Sequence, residues 1–237
     1  MGYYIVVGNG VNYYVEDLNP GGDKTILFLH GWPANHKLFE YQFDYLPKLG
    51  YRCIGIDTRG FGNSDKPFQG YDYDTLADDV KGIVDKLKLS DFTLLGHSTG
   101  GAIACRYMGR YACFGVSKLV LCAAAAPSLI KRADFPYGLD RETVDQIIET
   151  TYQDRPQMLQ NFGNMFFFQH LTQPFSDWFF QLGLQAAGWA TAAVANTWIK
   201  EVFRNSILMP FEFSGHGSFY DQKDLFNEIL TNFIENN

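Results

Sequence analysis

The stretch Leu95–Ala102 reads LGHSTGGA, and the apolar residues Phe92, Leu94 and Leu95 lead into it. Gly96–Gly100 (GHSTG) fits the pattern G-x-S-x-G. That pattern places a serine on a cramped turn from strand to helix, where small neighbours let the backbone close and the hydroxyl projects above a sheet. The five residues alone recur by chance in many chains. Here a buried-type strand precedes them and a helical pattern over Ser98–Arg110 follows, which is the context the turn requires. Ser98 is therefore the candidate nucleophile.

Strands and helices alternate on either side of this turn. Thr25–Leu29 (TILFL), Cys53–Ile56 (CIGI), Phe92–Leu95 and Leu119–Ala123 (LVLCA) are continuous apolar runs, as expected of strands covered on both faces. In Asp74–Lys88 the residues Leu76, Val80, Ile83, Val84 and Leu87 recur at helical spacing. Such alternation predicts a mostly parallel sheet flanked by helices, with a ligand site beyond the carboxyl ends of its strands. Ahead of it, Tyr3–Val7 and Val11–Val15 flank GNG and predict a hairpin. From Pro127 the texture turns aromatic and amide-rich, and no new strand pattern is visible between Ala126 and Asn205. Ile207–Phe213 (ILMPFEF) is the last strand candidate, placed at an edge by Pro210. The final helix is expected over Gln222–Glu235, with Leu225, Phe226, Ile229, Leu230 and Phe233 on one face.

Composition narrows the class. The 237 residues are 46% hydrophobic and 19% charged with a net charge of −7, a globular balance without a basic cluster. Nucleic acid and anionic membranes are not expected partners. No bilayer-spanning run and no leader pattern are visible, so a cytoplasmic location is expected. Cys53, Cys105, Cys113 and Cys122 lack metal or redox spacing, and Cys53 and Cys122 read as buried reduced thiols. No metal and no cofactor are implied.

A nucleophilic serine needs an oxyanion site and a base. HGWP (His30–Pro33) follows the TILFL strand directly. The amide of Trp32, together with that of Thr99 after the serine, would supply two donors aimed at one oxygen. Gly31 permits close approach, and His30 reads as a structural hydrogen-bonding residue. The base must lie in a later loop on the same side of the sheet, and His216 in SGHGSF (Ser214–Phe219) does. His97 flanks the serine with its ring expected to point elsewhere, His36 opens a helix, and His170 reads as a satisfied interior histidine.

These pieces, in this order, resemble the α/β-hydrolase superfamily over nearly the whole chain, most closely the cofactor-free haloperoxidases and small carboxylesterases. DTRGFGNSDKP (Asp57–Pro67) is similar to that group's loop after the fourth strand. The resemblance implies Ser98 as nucleophile, His216 as base, and the Trp32 and Thr99 amides as oxyanion hole. It also implies a core of residues 1–126 and 205–237 with a helical cap insertion at 127–204. The serine at the elbow argues against dehalogenase and epoxide hydrolase chemistry, which use aspartate there.

One departure stands out. The family's aspartate follows a strand between the cap and the final strand, whereas here Trp198 leads through IKEVFRNSILMPFEF directly into the last strand candidate. Roughly 25 to 40 residues of strand, helix and connections are missing by usual element lengths. The alternative acid position, Ala123–Ser128 (AAAAPS), holds no carboxylate. Asp134, Asp177 and Glu201 are substitutes without motif support, and Asp221 is expected to cap or open the last helix. If the last strand pairs with Leu119–Ala123 instead, it moves by about 4.8 Å and carries His216 away from Ser98. A histidine without its acid is a poor base, at a cost of about 10⁴ in kcat.

Two functions are expected on these grounds. The first is acyl-transfer hydrolysis of a small-molecule carboxylic ester, with peroxide as an alternative acyl acceptor giving perhydrolase and haloperoxidase side activity. The second is a weak or inactive binding or sensing protein on the same scaffold, since fold does not guarantee chemistry. A shortened sheet edge would also offer itself to a second copy, giving a homodimer.

Overall fold

A computed structural model describes residues 1–133, 135–200 and 216–236. Six strands among them form one sheet: β1 (Gly2–Val6), β2 (Asn12–Leu18), β3 (Lys24–Leu29), β4 (Tyr51–Ile56), β5 (Phe92–His97) and β6 (Val116–Cys122). Their order is β1-β2-β4-β3-β5-β6. β1 and β2 form the expected antiparallel hairpin, with Tyr4 opposite Tyr14, and β2 runs antiparallel to β4. The β4-β3, β3-β5 and β5-β6 pairs are parallel.

The burial of each strand follows its place. In β2 alternate residues are buried, with Tyr13 and Val15 pointing inward. β5 is buried at every position, which is why its sequence shows no alternation. Leu27 and Leu29 of β3 join the core on one face, under α2 (Tyr73–Leu87) and α3 (Thr99–Arg110). Ile26 and Phe28 join the core on the other, with α8 (Lys223–Asn236) contributing Phe226, Leu230 and Ile234 at four-residue spacing. Leu225, expected on that apolar face, is 43% exposed. Asn35 caps a 3-10 turn at His36–Phe39 that leads into α1 (Glu40–Tyr45), so His36 does open a helical segment.

After β6 come α4 (Arg141–Phe166), α5 (Gln173–Leu184) and α6 (Gly188–Lys200), and then the short α7 (Ser218–Asp221). α4 breaks at Asp154, two residues before Pro156, where proline removes a donor; the Asp154 carboxylate caps the second half by accepting from the Gln157 amide at 3.0 Å. No helix among the described residues is long and apolar enough to cross a membrane. The strand expected at Ile207–Phe213, and with it the question of its pairing with Leu119–Ala123, lies outside the described residues, as do Asp134 and Glu201.

β3 has β4 on one side and β5 on the other, so the connections leaving the carboxyl ends of β3 and β5 diverge. A crevice opens at such a point, and both the HGWP loop and Ser98 lie there.

Candidate active site

Ser98 sits between β5 and α3 with φ 51° and ψ −119°, a conformation that costs free energy for any residue with a side chain. The surrounding main chain holds it there. The Ser98 amide donates to Cys122 O (3.0 Å), and its carbonyl accepts from Gly101 (2.9 Å), Ala102 (3.2 Å) and Ala125 (2.8 Å). The neighbouring glycines are a steric requirement: a Cβ on Gly100 would come within 2.2 Å of Leu29 O.

The β3 loop abuts the serine. A Cβ on Gly31 would lie 2.5 Å from His97 Nδ1 and 2.9 Å from Ser98 Cβ, which is the close approach anticipated for that glycine. Trp32 follows it and is buried. Among the described residues, neither the Trp32 amide nor the Thr99 amide donates to a main-chain carbonyl. Thr99 is the first residue of α3, where helical amides lack intrahelical partners.

His216 Nε2 lies 2.8 Å from Ser98 Oγ. Phe166 stands edge-on to its ring at 5.0 Å. Burial pulls the His216 pKa down to about 4, leaving the ring neutral at pH 7. With Nε2 accepting from the serine hydroxyl, the ring's proton resides on Nδ1. Among the described residues no carboxylate hydrogen-bonds this ring. Asp177 is exposed and accepts from Gln173 at 2.8 Å. The buried Asp221 carboxylate accepts from the amides of Phe168 and Gln169 at 3.1 Å, tying α7 to the segment after α4.

The other histidines divide clearly. His30 accepts from the Thr58 amide at Nε2 (3.0 Å) and donates from Nδ1 to Gly31 O (2.9 Å), the structural role expected of it; burial lowers its pKa. His97 turns away from the Ser98 hydroxyl and donates from Nε2 to the carbonyl of His216 at 2.8 Å, a contact sequence reasoning did not anticipate. His36 donates from Nδ1 to Asp57 at 2.7 Å. Against the upward push of burial, His36 and the Asn63 amide hold the Asp57 carboxyl below its usual range, which fixes the loop after β4. His170 is exposed, and the interior role expected for it does not hold.

All four cysteines are reduced thiols outside any disulfide, with Cys53 and Cys122 buried and the Cys53 thiol pushed up to about 12 by burial. Among the described residues no cluster of three or more His, Cys, Asp or Glu side chains could hold a metal ion.

The site is roofed by aromatic rings from the helical layer. Trp32 meets Phe162 of α4 and Trp198 of α6 edge to face, each at 4.9 Å. Trp198 Nε1 donates to Thr99 Oγ1 at 3.0 Å. Such an arrangement pairs a hydroxyl with a neutral imidazole beneath apolar walls, the elements of serine-based acyl transfer.

Residues 24–190 match the family model described as the alpha/beta hydrolase fold. The AB hydrolase superfamily protein YisY of Bacillus subtilis is 40% identical over 98% of this chain and 99% of its own length. That alignment is 267 residues long against a chain of 237, so the relative carries residues without a counterpart here. A putative non-heme chloroperoxidase of Synechocystis is 39% identical over 69% of this chain, which spans 60% of that relative. Among solved structures, the esterase EaEST from Exiguobacterium antarcticum superposes with a TM-score of 0.94 at 38% identity, covering 99% of this chain and all of its own. A bromoperoxidase from Bacillus anthracis gives a TM-score of 0.90 at 28% identity, covering the whole of both chains. By family match, near-full-length relatives and shared architecture, the chain belongs to the α/β-hydrolase family, close to its non-heme haloperoxidase group, and is an α/β-hydrolase-type enzyme.

Proposed function

We propose that this chain is a serine carboxylesterase acting on small-molecule esters through an acyl-enzyme. The observation that carries the proposal is the 2.8 Å contact between Ser98 Oγ and His216 Nε2. Ser98 is the nucleophile. His216 Nε2 takes its proton as Oγ bonds to the ester carbonyl carbon. The oxyanion that forms is held by the amides of Trp32 and Thr99. The tetrahedral species then collapses, and the departing alkoxide takes the proton from His216. Water next gives a proton to Nε2 and attacks the acyl carbon; the acyl–Oγ bond then breaks as His216 returns that proton to Oγ, releasing the carboxylic acid and restoring Ser98. Hydrogen peroxide in place of water would give a peracid, a variant in keeping with relatives named bifunctional esterase/perhydrolase and non-heme chloroperoxidase.

The helices of residues 127–204 act as a cap in this reading, and the aromatic roof of Trp32, Phe162 and Trp198 favours uncharged acyl or aryl groups. The test is hydrolysis of p-nitrophenyl acetate by the wild type, Ser98→Ala and His216→Ala. The substitutions are expected to lower kcat/KM by about 10³-fold or more. Equal rates for the wild type and Ser98→Ala would falsify the proposal.

A further inference from the structure

The two residues that the esterase reading assigns to the oxyanion come from different segments, the loop after β3 and the first turn of α3, yet both are tied to one helix of the overlying layer. Trp32, after β3, donates from its indole Nε1 to the carbonyl of Thr191 on α6 at 2.9 Å. Trp198, two turns further along α6, donates from its own indole Nε1 to Oγ1 of Thr99 at 3.0 Å. The two indoles meet edge to face, with centroids 4.9 Å apart and planes at 80°. All four residues are buried.

Packing alone does not call for this pattern. A phenyl ring and a valine would fill similar space without demanding a hydrogen bond between them, and a buried pair of polar groups adds little net stability over an apolar pair of the same shape. What the bond adds is direction. Threonine is stiff at χ1, so fixing Oγ1 fixes the orientation of the residue whose amide opens α3. The bond from Trp32 to Thr191 does the same for the β3 loop. One face of α6 thus spans both segments and fixes the distance between them.

We infer that α6 is the clamp that sets the two oxyanion donors in register, and that Trp198 is a positioning residue for acyl transfer. This rests on the esterase reading above. It gives the helical layer a part in forming the transition-state site, in addition to covering the substrate.

The experiment is a double-mutant cycle on p-nitrophenyl acetate hydrolysis, with Trp198→Phe, Thr99→Val and the pair combined, and with Ser98→Ala as control. Each single variant is expected to lose about tenfold in kcat, between the effect of a lost neutral hydrogen bond and that of a deleted oxyanion donor. KM should stay within about twofold, and the double variant should lose no more than either single one, because both remove the same bond. Unchanged kcat in both single variants, or losses that multiply in the double, overturn the clamp. A merely structural bond would lower the melting temperature and leave kcat per folded molecule intact. Should Trp198→Phe fail to fold, Thr99→Val removes the same bond and leaves the α6 packing in place. An active wild type with unaffected variants sinks the clamp alone. A wild type without Ser98-dependent activity sinks the esterase reading and the clamp with it.

Discussion

The imidazole of His97 hydrogen-bonds the main chain of His216, Nε2 to carbonyl oxygen, at 2.8 Å. Since a carbonyl only accepts, His97 carries its proton on Nε2. Its Nδ1 is buried over Gly31 and has no hydrogen-bond partner among the described residues. Phe219 stands edge-on to the ring at 4.9 Å. The side chain at the second position of the GHSTG turn therefore holds the backbone of the residue whose ring contacts the serine. His97→Phe keeps the aromatic packing and deletes the donor. We expect about a tenfold loss in kcat, the size of one neutral hydrogen bond, with KM little changed. Steady-state kinetics on a p-nitrophenyl ester checks it.

The acid side of the pH profile follows from burial. With its pKa lowered to about 4, the His216 ring is neutral throughout the neutral range, and as the proposed base it protonates only near pH 4. The acid limb of kcat/KM should therefore fall near pH 4, well below the usual histidine value near 6.5. A limb near 6 to 7 would show that the ring is more solvated, or faces more negative charge, than this geometry provides.

The same burial makes the fold acid-sensitive. His30, His97 and His216 all have folded pKa values below the unfolded one, with burial as the leading cause. Above pH 6.5 both states bind the same protons, and the full stability is present. As pH falls below 6.5 the unfolded state takes up protons that the folded state refuses, and stability drops toward pH 4 by at most about 1.4 kcal/mol per unit for each histidine. Urea midpoints should be flat from pH 7 to 8 and decline steadily from 6 to 4.5.

How far the sequence spoke for this site depended on the range of each interaction. Ser98 was legible because its determinants are local: an apolar strand, two glycines and a helix start within a dozen residues. The interior strands were legible because helices on both faces demand continuous apolar runs. The Ser98–His216 contact was not, since its distance depends on how distant elements pack, and a displaced strand would have separated the two. The Trp198–Thr99 bond joins residues 99 positions apart and has no pattern to announce it. The bonds from the amides of Phe168 and Gln169 to the Asp221 carboxylate likewise join distant parts of the chain, and no local pattern announces them.

The strained turn at Ser98 gives a sign that ordinary substitution trends would not. Ser98→Ala and Ser98→Gly both remove the hydroxyl and leave His216 Nε2 without that partner. Alanine keeps the strained φ of 51°, whereas glycine adopts it freely. We therefore expect Ser98→Gly to be more stable than Ser98→Ala by about 1 kcal/mol, the reverse of the usual order, with both inactive. Parallel urea denaturation of the two variants measures the difference.

The hairpin, the loop after β4 and α2 meet in one buried ion pair. Arg59 donates to both oxygens of Asp79, Nε to Oδ2 at 2.6 Å and Nη2 to Oδ1 at 2.8 Å. Tyr13 OH adds a third bond to Oδ2 at 2.6 Å. All three residues are buried; Arg59 Nη1 also donates to the Gln69 carbonyl at 3.4 Å, and Asp79 is the carboxylate that balances the guanidinium's charge. Asp79→Ala should cost about 3 to 5 kcal/mol, because it leaves a buried charge unpaired. Tyr13→Phe removes one bond to a charged acceptor while the ion pair stays intact, and should cost about 1.5 to 3 kcal/mol. If the pair is what holds these three segments together, Arg59→Ala added to Asp79→Ala will cost far less than it does alone, since the second substitution removes the charge the first had stranded. Additive losses in that cycle would mean that the network contributes shape and little electrostatic support.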